Sequence, residues 1–540
     1  MFDYDYLIVG SGFGGSVSAL RLAEKGWRVA VAEQGRRVGP EEIRAGKRKL
    51  SKLMWAPKLG WKGYFSQHVF KEVAVVGGVG VGGGSIVWGA VMLPPKPTFY
   101  HDPVFKHLGL DFKEELAPHL KTATEMLGVT RNPRRSEQDQ WLEQTAQRLG
   151  KGDTFSSVPN AIHFGEPGVP EPDPYFGGRG PERTGCHFCA GCTTGCETNA
   201  KNALYLNYLY LAEQQGARVL PEHKADKIKP LAGGGYIVNF FDPVTQKFLT
   251  KVRAKNVVLA AGVLGTLELL FKNREDYKTL KQVSPSLGKV VRTNSEAITA
   301  VLHPKGTDIS NGTTISTDFY PDESTHITQN RFDQGSRFMR HAFGPLIDDA
   351  EPGRRALKTL IALVTSPIQS IRSWFAGGWE KRATLFTVMQ DLNNHLSFRY
   401  SRPWWSRRKR LITQNSGERG VPSYLPIANK ITRIYAQLSG GKPMNLLTET
   451  ITARSMTAHI LSGCPMGATA NEGVIDSNHQ VHGHKGLFVV DGSSIPANIG
   501  VNPSLTITAM AERFAARQPG RHGSQKNISI GTAPDVELSC

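Results

Sequence analysis

Residues 4–33 read YDYLIVGSGFGGSVSALRLAEKGWRVAVAE, and this stretch decides the fold. The β-branched and aromatic run from Tyr4 to Val9 predicts a strand. The glycine-rich turn after it opens a helical pattern that lasts to Gly26, and the run from Val29 to Ala32 predicts a second strand. Strand, helix and strand in this order predict a βαβ unit.

The turn inside this unit has the spacing of a dinucleotide site. Its glycines follow the pattern G-x-G-x-x-G, at Gly10, Gly12 and Gly15. Such glycines permit a tight turn and let a pyrophosphate approach the helix N-terminus, and an acid about 20 residues on can accept the ribose hydroxyls. Glu33 is that acid. The alternative is a set of turn glycines in an ordinary α/β unit.

A second glycine-rich stretch, VAVVGGVGVGGGSIVWGAVML at residues 73–93, carries no charge. Its length would suit a membrane span. Glycines, however, lose extra backbone entropy in a helix and leave a poor surface for lipid. We therefore expect a loop against the cofactor, with Gly84, Ser85 and Gly89 in contact with it. The chain reaches this loop before further α/β crossovers, which favours FAD over NAD as the dinucleotide.

Chain length and net charge limit the possible functions. A chain of 540 residues predicts two or three domains, and basic residues exceed acidic ones by 18. Between Arg331 and Arg410 the surplus is 9, with Trp374, Phe375, Trp379, Trp404 and Trp405 nearby. This region predicts peripheral membrane contact, with a solvated helix over a sheet as the alternative. Nucleic acid is not expected because no recognition fold accompanies the charge.

The N-terminus bears on location. The first predicted strand begins too early to leave room for a secretory signal, so we expect a cytoplasmic protein, peripheral at the membrane. Four clustered cysteines then suggest a metal or redox site in a reducing compartment. They follow the spacing C-x2-C-x2-C-x3-C, at Cys186, Cys189, Cys192 and Cys196. An iron–sulfur cluster, a zinc site and a turn of small buried hydrophobic residues all remain open.

Elements farther along are predicted from pattern alone. We expect two separate strands at residues 252–254 and 256–261. We also expect a helix at residues 356–379 that is broken near Pro367. Near the C-terminus, His459 enters a glycine turn, and Asp491-Gly492 follows a strand. Asn502 precedes a predicted helix from Ser504 to Ala516.

Four blocks of the chain together resemble the glucose–methanol–choline (GMC) oxidoreductase family, in its cholesterol oxidase-like branch. They are VGSGFGGS with Glu33, VGVGGGSIVWGA, LAAGVLGTLELL, and HILSGC with VVDGSSIPANIGVNPSLTITAMAER. The resemblance implies that His459 and Asn502 lie at the flavin face as the catalytic pair, with Asp491 and Gly492 near the cofactor. Two departures stand out: HILSG replaces HPLGG, and Trp88 replaces the asparagine of the glycine loop.

The resemblance also implies the fold: α/β, with a Rossmann-like FAD-binding domain of discontinuous segments and an α+β substrate domain on an antiparallel sheet. The expected segments are FAD-binding at 1–110, a helical and loop excursion at 111–185, and the cysteine cluster with the FAD-domain return at 186–294. The substrate domain at 295–450, the last FAD-binding segment at 451–520 and a tail at 521–540 follow.

The implied activity is oxidation of a lipophilic, sterol- or steroid-like alcohol to a carbonyl. FAD takes the hydride, and His459 handles the proton, since its unperturbed pKa suits that role near neutral pH. Oxygen or an external electron carrier is the acceptor. The alternatives are a flavin-containing lyase or photodecarboxylase, and a dehydrogenase that uses an additional iron–sulfur cluster.

Overall fold

The computed structural model describes residues 1–365, 373–404, 406–416 and 420–521. Its helices, in chain order, are α1 (Phe13–Glu24), α2 (Pro40–Arg48), α3 (Leu50–Leu53), α4 (Pro97–Tyr100), α5 (Pro103–His107), α6 (Phe112–Met126), α7 (Glu137–Arg148), α8 (Tyr208–Gln214), α9 (Gly262–Glu275), α10 (Pro352–Thr365), α11 (Trp379–Arg382), α12 (Pro426–Ser439), α13 (Leu447–Thr452) and α14 (Ser504–Ala516).

The strands alternate with these helices along the chain. They are β1 (Tyr4–Val9), β2 (Val29–Ala32), β3 (Trp55–Ala56), β4 (Trp61–Lys62), β5 (Phe65–Val69), β6 (Val73–Gly78), β7 (Thr130–Arg131), β8 (Ser156–Ser157), β9 (Pro159–Asn160), β10 (Pro170–Glu171), β11 (Arg183–Thr184), β12 (Arg218–Leu220), β13 (Lys224–Pro230), β14 (Tyr236–Phe241), β15 (Phe248–Leu259), β16 (Ala297–Leu302), β17 (Ile315–Phe319), β18 (Thr325–Asn330), β19 (Phe343–Pro345), β20 (Ala383–Gln390), β21 (His395–Ser401), β22 (Arg410–Ser416), β23 (Lys442–Leu446), β24 (Ser455–Thr457) and β25 (Leu487–Val489).

The first large sheet has the strand order β12-β2-β1-β15-β14-β13, with β25 paired to β15. β12, β2, β1, β15 and β25 run parallel, and β13 and β14 complete the sheet antiparallel. Val9 pairs with Leu259, which in turn pairs with Val489. The carboxyl ends of three parallel strands therefore meet at one edge, which is where α/β sheets bind ligands.

The second large sheet is antiparallel, in the order β19-β23-β16-β20-β18-β17-β8. Its strands carry alternating apolar residues, and a separate core forms beneath α12 and α7 around Phe386, Ile431 and Tyr435, all fully buried. A small sheet, β24-β6-β5, connects the glycine-rich stretch to the segment that leads to His459. The α/β fold with an antiparallel second sheet, expected from the sequence, is confirmed.

Two expectations about elements need comment. The two strands expected at 252–254 and 256–261 form one strand, β15, because it pairs continuously with β14 and then with β1. Within the expected excursion at 111–185, α6 enters the main core through the buried Phe112 and Leu116. The six segment boundaries stay predictions. The helix break near Pro367, Trp405 and residues 522–540 of the tail lie outside the described residues.

The uncharged glycine-rich stretch forms β6 and, at Gly83–Ile86, a single short 3-10 turn rather than an α-helix. Within the described part of the chain, every helix is too short or too polar to cross a bilayer.

Candidate functional site

The turn between β1 and α1 contains glycines of two kinds. A Cβ placed on Gly10, Gly14 or Gly15 would lie 2.2, 1.7 or 2.0 Å from a backbone carbonyl oxygen, so these three glycines let segments pack directly. Gly10 also has a φ of 103°, a conformation that favours glycine. A Cβ on Gly12 would meet nothing within 4 Å. Gly12 therefore borders open space at the N-terminus of α1.

Glu33 directly follows β2 and lies beside this turn. One carboxylate oxygen accepts hydrogen bonds from the Ser11 amide at 3.1 Å and the Ser11 hydroxyl at 2.8 Å, and the other accepts from the Gly35 amide at 2.8 Å. Burial raises the pKa of Glu33, although these donors oppose the rise. The Gly80 backbone opposes the rise as well, so four donors approach this carboxylate, and a ribose hydroxyl bound to Glu33 would share an oxygen that already accepts a hydrogen bond.

The glycine-rich loop after β6 lies over the same turn. The Gly82 amide donates to the Ser11 hydroxyl at 3.0 Å. The Ser85 hydroxyl donates to the Gly82 carbonyl at 2.6 Å and accepts from the Leu204 amide at 3.0 Å. A Cβ on Gly84 would meet nothing within 4 Å. Ser85 therefore braces the loop, while Gly84 borders open space.

The end of this loop reaches the second sheet. A Cβ on Gly89 would lie 2.7 Å from the Ile315 side chain on β17, so Gly89 allows the loop and the antiparallel sheet to pack closely. The Trp88 ring packs edge-on against Phe13 at 5.0 Å, at the start of α1. Trp88 thus occupies the family's asparagine position with an aromatic contact to the dinucleotide turn.

These residues fit FAD. Gly12 and Gly84 leave open space that a Cβ would narrow, and Gly12 lies where the N–H groups of α1 favour an anion. Gly12 and the first turn of α1 would hold the pyrophosphate, and Glu33 would hold the ribose.

His459 and Asn502 come together after the parallel strands. The Asn502 amide nitrogen lies 3.5 Å from Nε2 of His459. On the other side of the ring, Nδ1 of His459 contacts the carboxylate of Glu296, which is 1% exposed. Since a carboxylate accepts from Nδ1–H, this contact assigns the neutral ring an unprotonated Nε2 that faces Asn502.

Asn502 carries an unused acceptor. Its side-chain oxygen is buried and has no hydrogen-bond partner among the described residues. Buried polar atoms normally have partners, so this oxygen points to a ligand group. Together, Nε2 of His459 and the Asn502 amide present a proton acceptor and a hydrogen-bonding group side by side.

Asp491 and Gly492 lie in the turn after β25. The Asp491 carboxylate accepts from the Ser493 amide at 2.8 Å and from the Thr266 hydroxyl at 2.6 Å. Burial raises its pKa. The Gly492 carbonyl accepts from the Ser462 amide at 2.8 Å, three residues after His459. In the described structure, Asp491 and Gly492 tie this turn to α9 and to the histidine segment.

The four clustered cysteines do not form a ligand set. Among the described residues, no three His, Cys, Asp or Glu side chains are grouped to hold a metal ion. Cys186 and Cys192 are buried, whereas Cys189 is exposed. Burial raises the pKa of Cys186 well above its usual range, which disfavours the thiolate that metal binding requires. The expected iron–sulfur cluster and the zinc alternative therefore gain no support.

The cysteine loop is instead organised around a lysine. The buried ammonium of Lys201 donates to the carbonyls of Ile86 at 2.8 Å, Trp88 at 3.2 Å and Cys192 at 2.5 Å. Burial lowers the pKa of Lys201 to about 8. Lys201 thus joins the cysteine loop to the glycine loop that borders the cofactor space.

The structure brings most of the predicted residues together in two groups. The first contains Gly10, Gly12, Gly15, Glu33, Gly84 and Ser85, and the second contains His459 and Asn502 with Glu296. Sequence reasoning missed Glu296, although an acid in the polar run RTNSE directly before an apolar strand was a usable signal. Its partner lies 163 residues away in the chain.

Comparisons with known proteins identify the family of this chain. Two family models described as GMC oxidoreductase match residues 181–273 and 406–511, and one described as an NAD(P)-binding Rossmann-like domain matches residues 8–44. A cholesterol oxidase from Acinetobacter baumannii is 38% identical over 99% of this chain and 98% of its own length. A cholesterol oxidase from Mycobacterium tuberculosis is 39% identical over 96% of this chain and 92% of its own length.

A more distant relative and a solved structure are also similar to this chain. A long-chain-alcohol oxidase from Arabidopsis thaliana is 24% identical over 94% of this chain and 66% of its own length. Among solved structures, pyridoxine 4-oxidase from Mesorbium loti superposes with a TM-score of 0.63 at 16% identity, covering 96% of this chain and 99% of that one. The latter similarity concerns the fold.

Proposed function

Because this chain belongs to the GMC oxidoreductase family, and is therefore an FAD-dependent alcohol oxidase, we propose that it oxidises a lipophilic, sterol- or steroid-like alcohol with His459 as the base. The observation that carries this proposal is the contact between Nε2 of His459 and the Asn502 amide, with Glu296 on the other ring nitrogen. This arrangement places the unprotonated Nε2 of His459 beside the Asn502 side-chain oxygen, which is buried and has no hydrogen-bond partner among the described residues.

The side chains divide the work of alcohol oxidation. Nε2 of His459 accepts the hydroxyl proton as the O–H bond breaks, and Asn502 orients the hydroxyl oxygen. FAD bound beside Gly12, Gly84 and Glu33 would supply the acceptor for the hydride of the carbinol carbon. Glu296 stabilises the positive charge that His459 gains, as a buried carboxylate does for a general-base histidine.

The substrate class rests on the relatives. Two are named cholesterol oxidases and one is named a long-chain-alcohol oxidase, and bulky apolar alcohols are common to these names. We propose oxygen as the acceptor because all three are named oxidases. The dehydrogenase alternative depended on an iron–sulfur cluster, and the described cysteines provide no ligand set for one.

Anaerobic flavin reduction tests the proposal. Purified protein is mixed with sterols, steroids and long-chain alcohols while flavin absorbance is followed, and bleaching by an apolar alcohol is the expected result. A lyase or photodecarboxylase would leave the flavin oxidised in the dark. Readmission of air should then restore the flavin and release hydrogen peroxide.

A single substitution assigns the base. His459→Ala is expected to slow flavin reduction by about 100-fold or more, the usual contribution of a general base. His163→Ala is a matched control, because His163 also contacts a glutamate carboxylate and is similarly buried, at 11% against 15% exposure. Flavin reduction at the parent rate in His459→Ala would refute the assignment.

We further propose that α10 contacts the membrane that carries the alcohol. This helix has its faces reversed: the polar Arg355 and Thr359 are buried, whereas Leu357, Leu360, Ile361 and Val364 are 58, 50, 51 and 76% exposed. Arg355 is held by the Ser423 carbonyl at 2.6 Å. The exposed row follows helical spacing, so it forms a continuous apolar stripe.

A bilayer with anionic headgroups is the occupant that fits this stripe. The surrounding sequence from Arg331 to Arg410 has a basic surplus of 9, and an apolar stripe within a basic region is typical of helices that lie in the interface plane. A bilayer would also supply an alcohol too apolar to dissolve. The expected cytoplasmic location stays a prediction.

A further inference from the structure

Residues 293–296, immediately before β16, form a buried and unusually shaped segment. All four are at most 1% exposed. Asn294 and Ser295 have φ values of 55° and 49°, in the left-handed region that residues other than glycine rarely adopt. Two consecutive residues in this region indicate a backbone that its surroundings force into shape, and such strain clusters at functional sites.

One side of this segment holds the backbone next to Asn502. The side-chain nitrogen of Asn294 donates to the Val501 carbonyl at 2.7 Å, and the side-chain oxygen of Asn294 accepts from the Gly500 backbone amide at 3.2 Å. Asn294 is fully buried. Both polar ends of one side chain are therefore used to fix the two residues that precede Asn502.

The other side holds His459. One oxygen of the Glu296 carboxylate contacts Nδ1 of His459, and the second accepts from the Ala458 amide at 3.3 Å. The backbone contributes as well, since the Thr457 hydroxyl donates to the Thr293 carbonyl at 3.2 Å and accepts from the His459 amide at 2.8 Å. The segment thus fixes both the ring and the backbone of His459.

We infer that Asn294 and Glu296 are positioning residues, which set His459 and Asn502 against each other from one rigid segment. His459 and Asn502 are distant in sequence, and residues 293–296 contact the segments that hold both of them. The left-handed turn at Asn294 and Ser295 explains how side chains two residues apart reach these two targets. This inference rests on the proposed role of His459 as the base, and it adds the residues that align His459 with Asn502.

Glu296→Gln tests the His459 side. Glutamine keeps the size of the side chain but removes the charge that favours Nδ1–H, so the limiting rate of anaerobic flavin reduction should fall about 100-fold. The substrate concentration at half-maximal rate should change little, because Glu296 contacts Nδ1 of His459, on the opposite side of the ring from the proposed base Nε2. A second readout is the pH dependence of hydrogen exchange at the His459 ring, measured by mass spectrometry. The midpoint of this pH dependence should move to lower pH in Glu296→Gln.

Asp318→Asn is the matched control. Asp318 is a buried carboxylate 2.9 Å from Nε2 of His326, within the same antiparallel sheet. Its loss should reduce stability and alter exchange at His326, yet leave flavin reduction and the His459 midpoint unchanged. If Asp318→Asn lowers the limiting rate as much as Glu296→Gln, the effect is general and the inference is wrong.

Asn294→Asp tests the Asn502 side. Aspartate tolerates the left-handed backbone but replaces the donor to Val501 with an acceptor, so the 500–502 turn should shift. The limiting rate should fall at least 10-fold, since small misplacements of reacting groups are costly. Combined with Asn502→Ala, the substitution should add little further loss, because both act through Asn502.

The outcomes separate the two proposals. If His459→Ala leaves flavin reduction intact, the proposed function fails. If His459→Ala slows it while Glu296→Gln and Asn294→Asp both react at the parent rate, the proposed function stands and the positioning inference is overturned.

Discussion

At the scale of single residues, the glycines of the turn after β1 differ in what a methyl group would meet. On Gly14 it would collide with the Val490 carbonyl, whereas on Gly12 it would enter open space. Gly14 is therefore needed for packing against the Val490 backbone, and Gly12 leaves space for a bound ligand.

Two alanine substitutions separate these roles. Gly14→Ala should destabilise the fold by about 4 kcal/mol or more, since a backbone carbonyl cannot move aside. Gly12→Ala should keep the parent melting temperature without FAD but lower FAD affinity at least 10-fold, because the pyrophosphate needs the space. Thermal unfolding of the apoprotein and FAD titration measure both. Equal FAD affinity in Gly12→Ala and the parent would place the pyrophosphate elsewhere.

The sequence predicted the glycines of the dinucleotide turn well, but it did not predict contacts between residues that are far apart in the chain. Gly10, Gly12 and Glu33 lie within one βαβ unit, whose spacing is local and readable. Glu296 reaches His459 only through the fold, because β16 and β24 bring their flanking segments together. Hydrophobic periodicity carries information about residues that are close in the chain. It does not predict contacts such as Glu296 to His459, between residues that are far apart in the chain.

At the scale of elements, strongly patterned segments were predicted well. The strands at Tyr4–Val9 and Val29–Ala32 and the helix at Ser504–Ala516 have the predicted bounds. β15 was predicted as two pieces because Lys255, two residues after Arg253, interrupts its apolar run. These basic side chains are exposed on one face of the strand, so alternation marks a half-buried strand rather than a break.

The cysteine loop gives an element-scale prediction about metals. Since the described cysteines are not grouped as ligands, treatment with chelators should leave flavin reduction and reoxidation by air at the parent rates. Iron, zinc and acid-labile sulfide analysis of the untreated protein accompanies the assay. Stoichiometric iron and sulfide, lost together with activity, would restore the dehydrogenase alternative.

The exposed stripe on α10 gives a second prediction at this scale. Replacing Ile361 and Val364 together by glutamate should weaken binding to vesicles of phosphatidylcholine and phosphatidylserine at least 10-fold, because burial of both side chains is lost. Oxidation of a water-soluble alcohol should stay unchanged. Sedimentation with vesicles over a range of salt concentrations measures binding, which added salt should weaken.

Leu59→Glu is the control for this experiment. Leu59 is an exposed leucine, at 67%, in the turn between β3 and β4. Its substitution adds the same kind of charge outside α10 and should not affect vesicle binding. Unchanged binding in the α10 variant would exclude the stripe as the membrane contact.

At the scale of the whole molecule, the two sheets define the site jointly. The parallel sheet supplies the dinucleotide turn and the turn at Asp491, and the segment that enters the antiparallel sheet supplies Asn294 and Glu296. His459 and Asn502 lie between them. This arrangement explains why the family's motifs are scattered along the chain: the chain must cross between sheets several times to assemble one centre.

The structure of the protein with FAD bound tests this convergence most directly. Crystals grown from flavin-loaded protein should show the adenosine ribose at Glu33, the pyrophosphate over Gly12, and the isoalloxazine ring against His459 and Asn502. An isoalloxazine ring out of contact with both His459 and Asn502 would contradict the account.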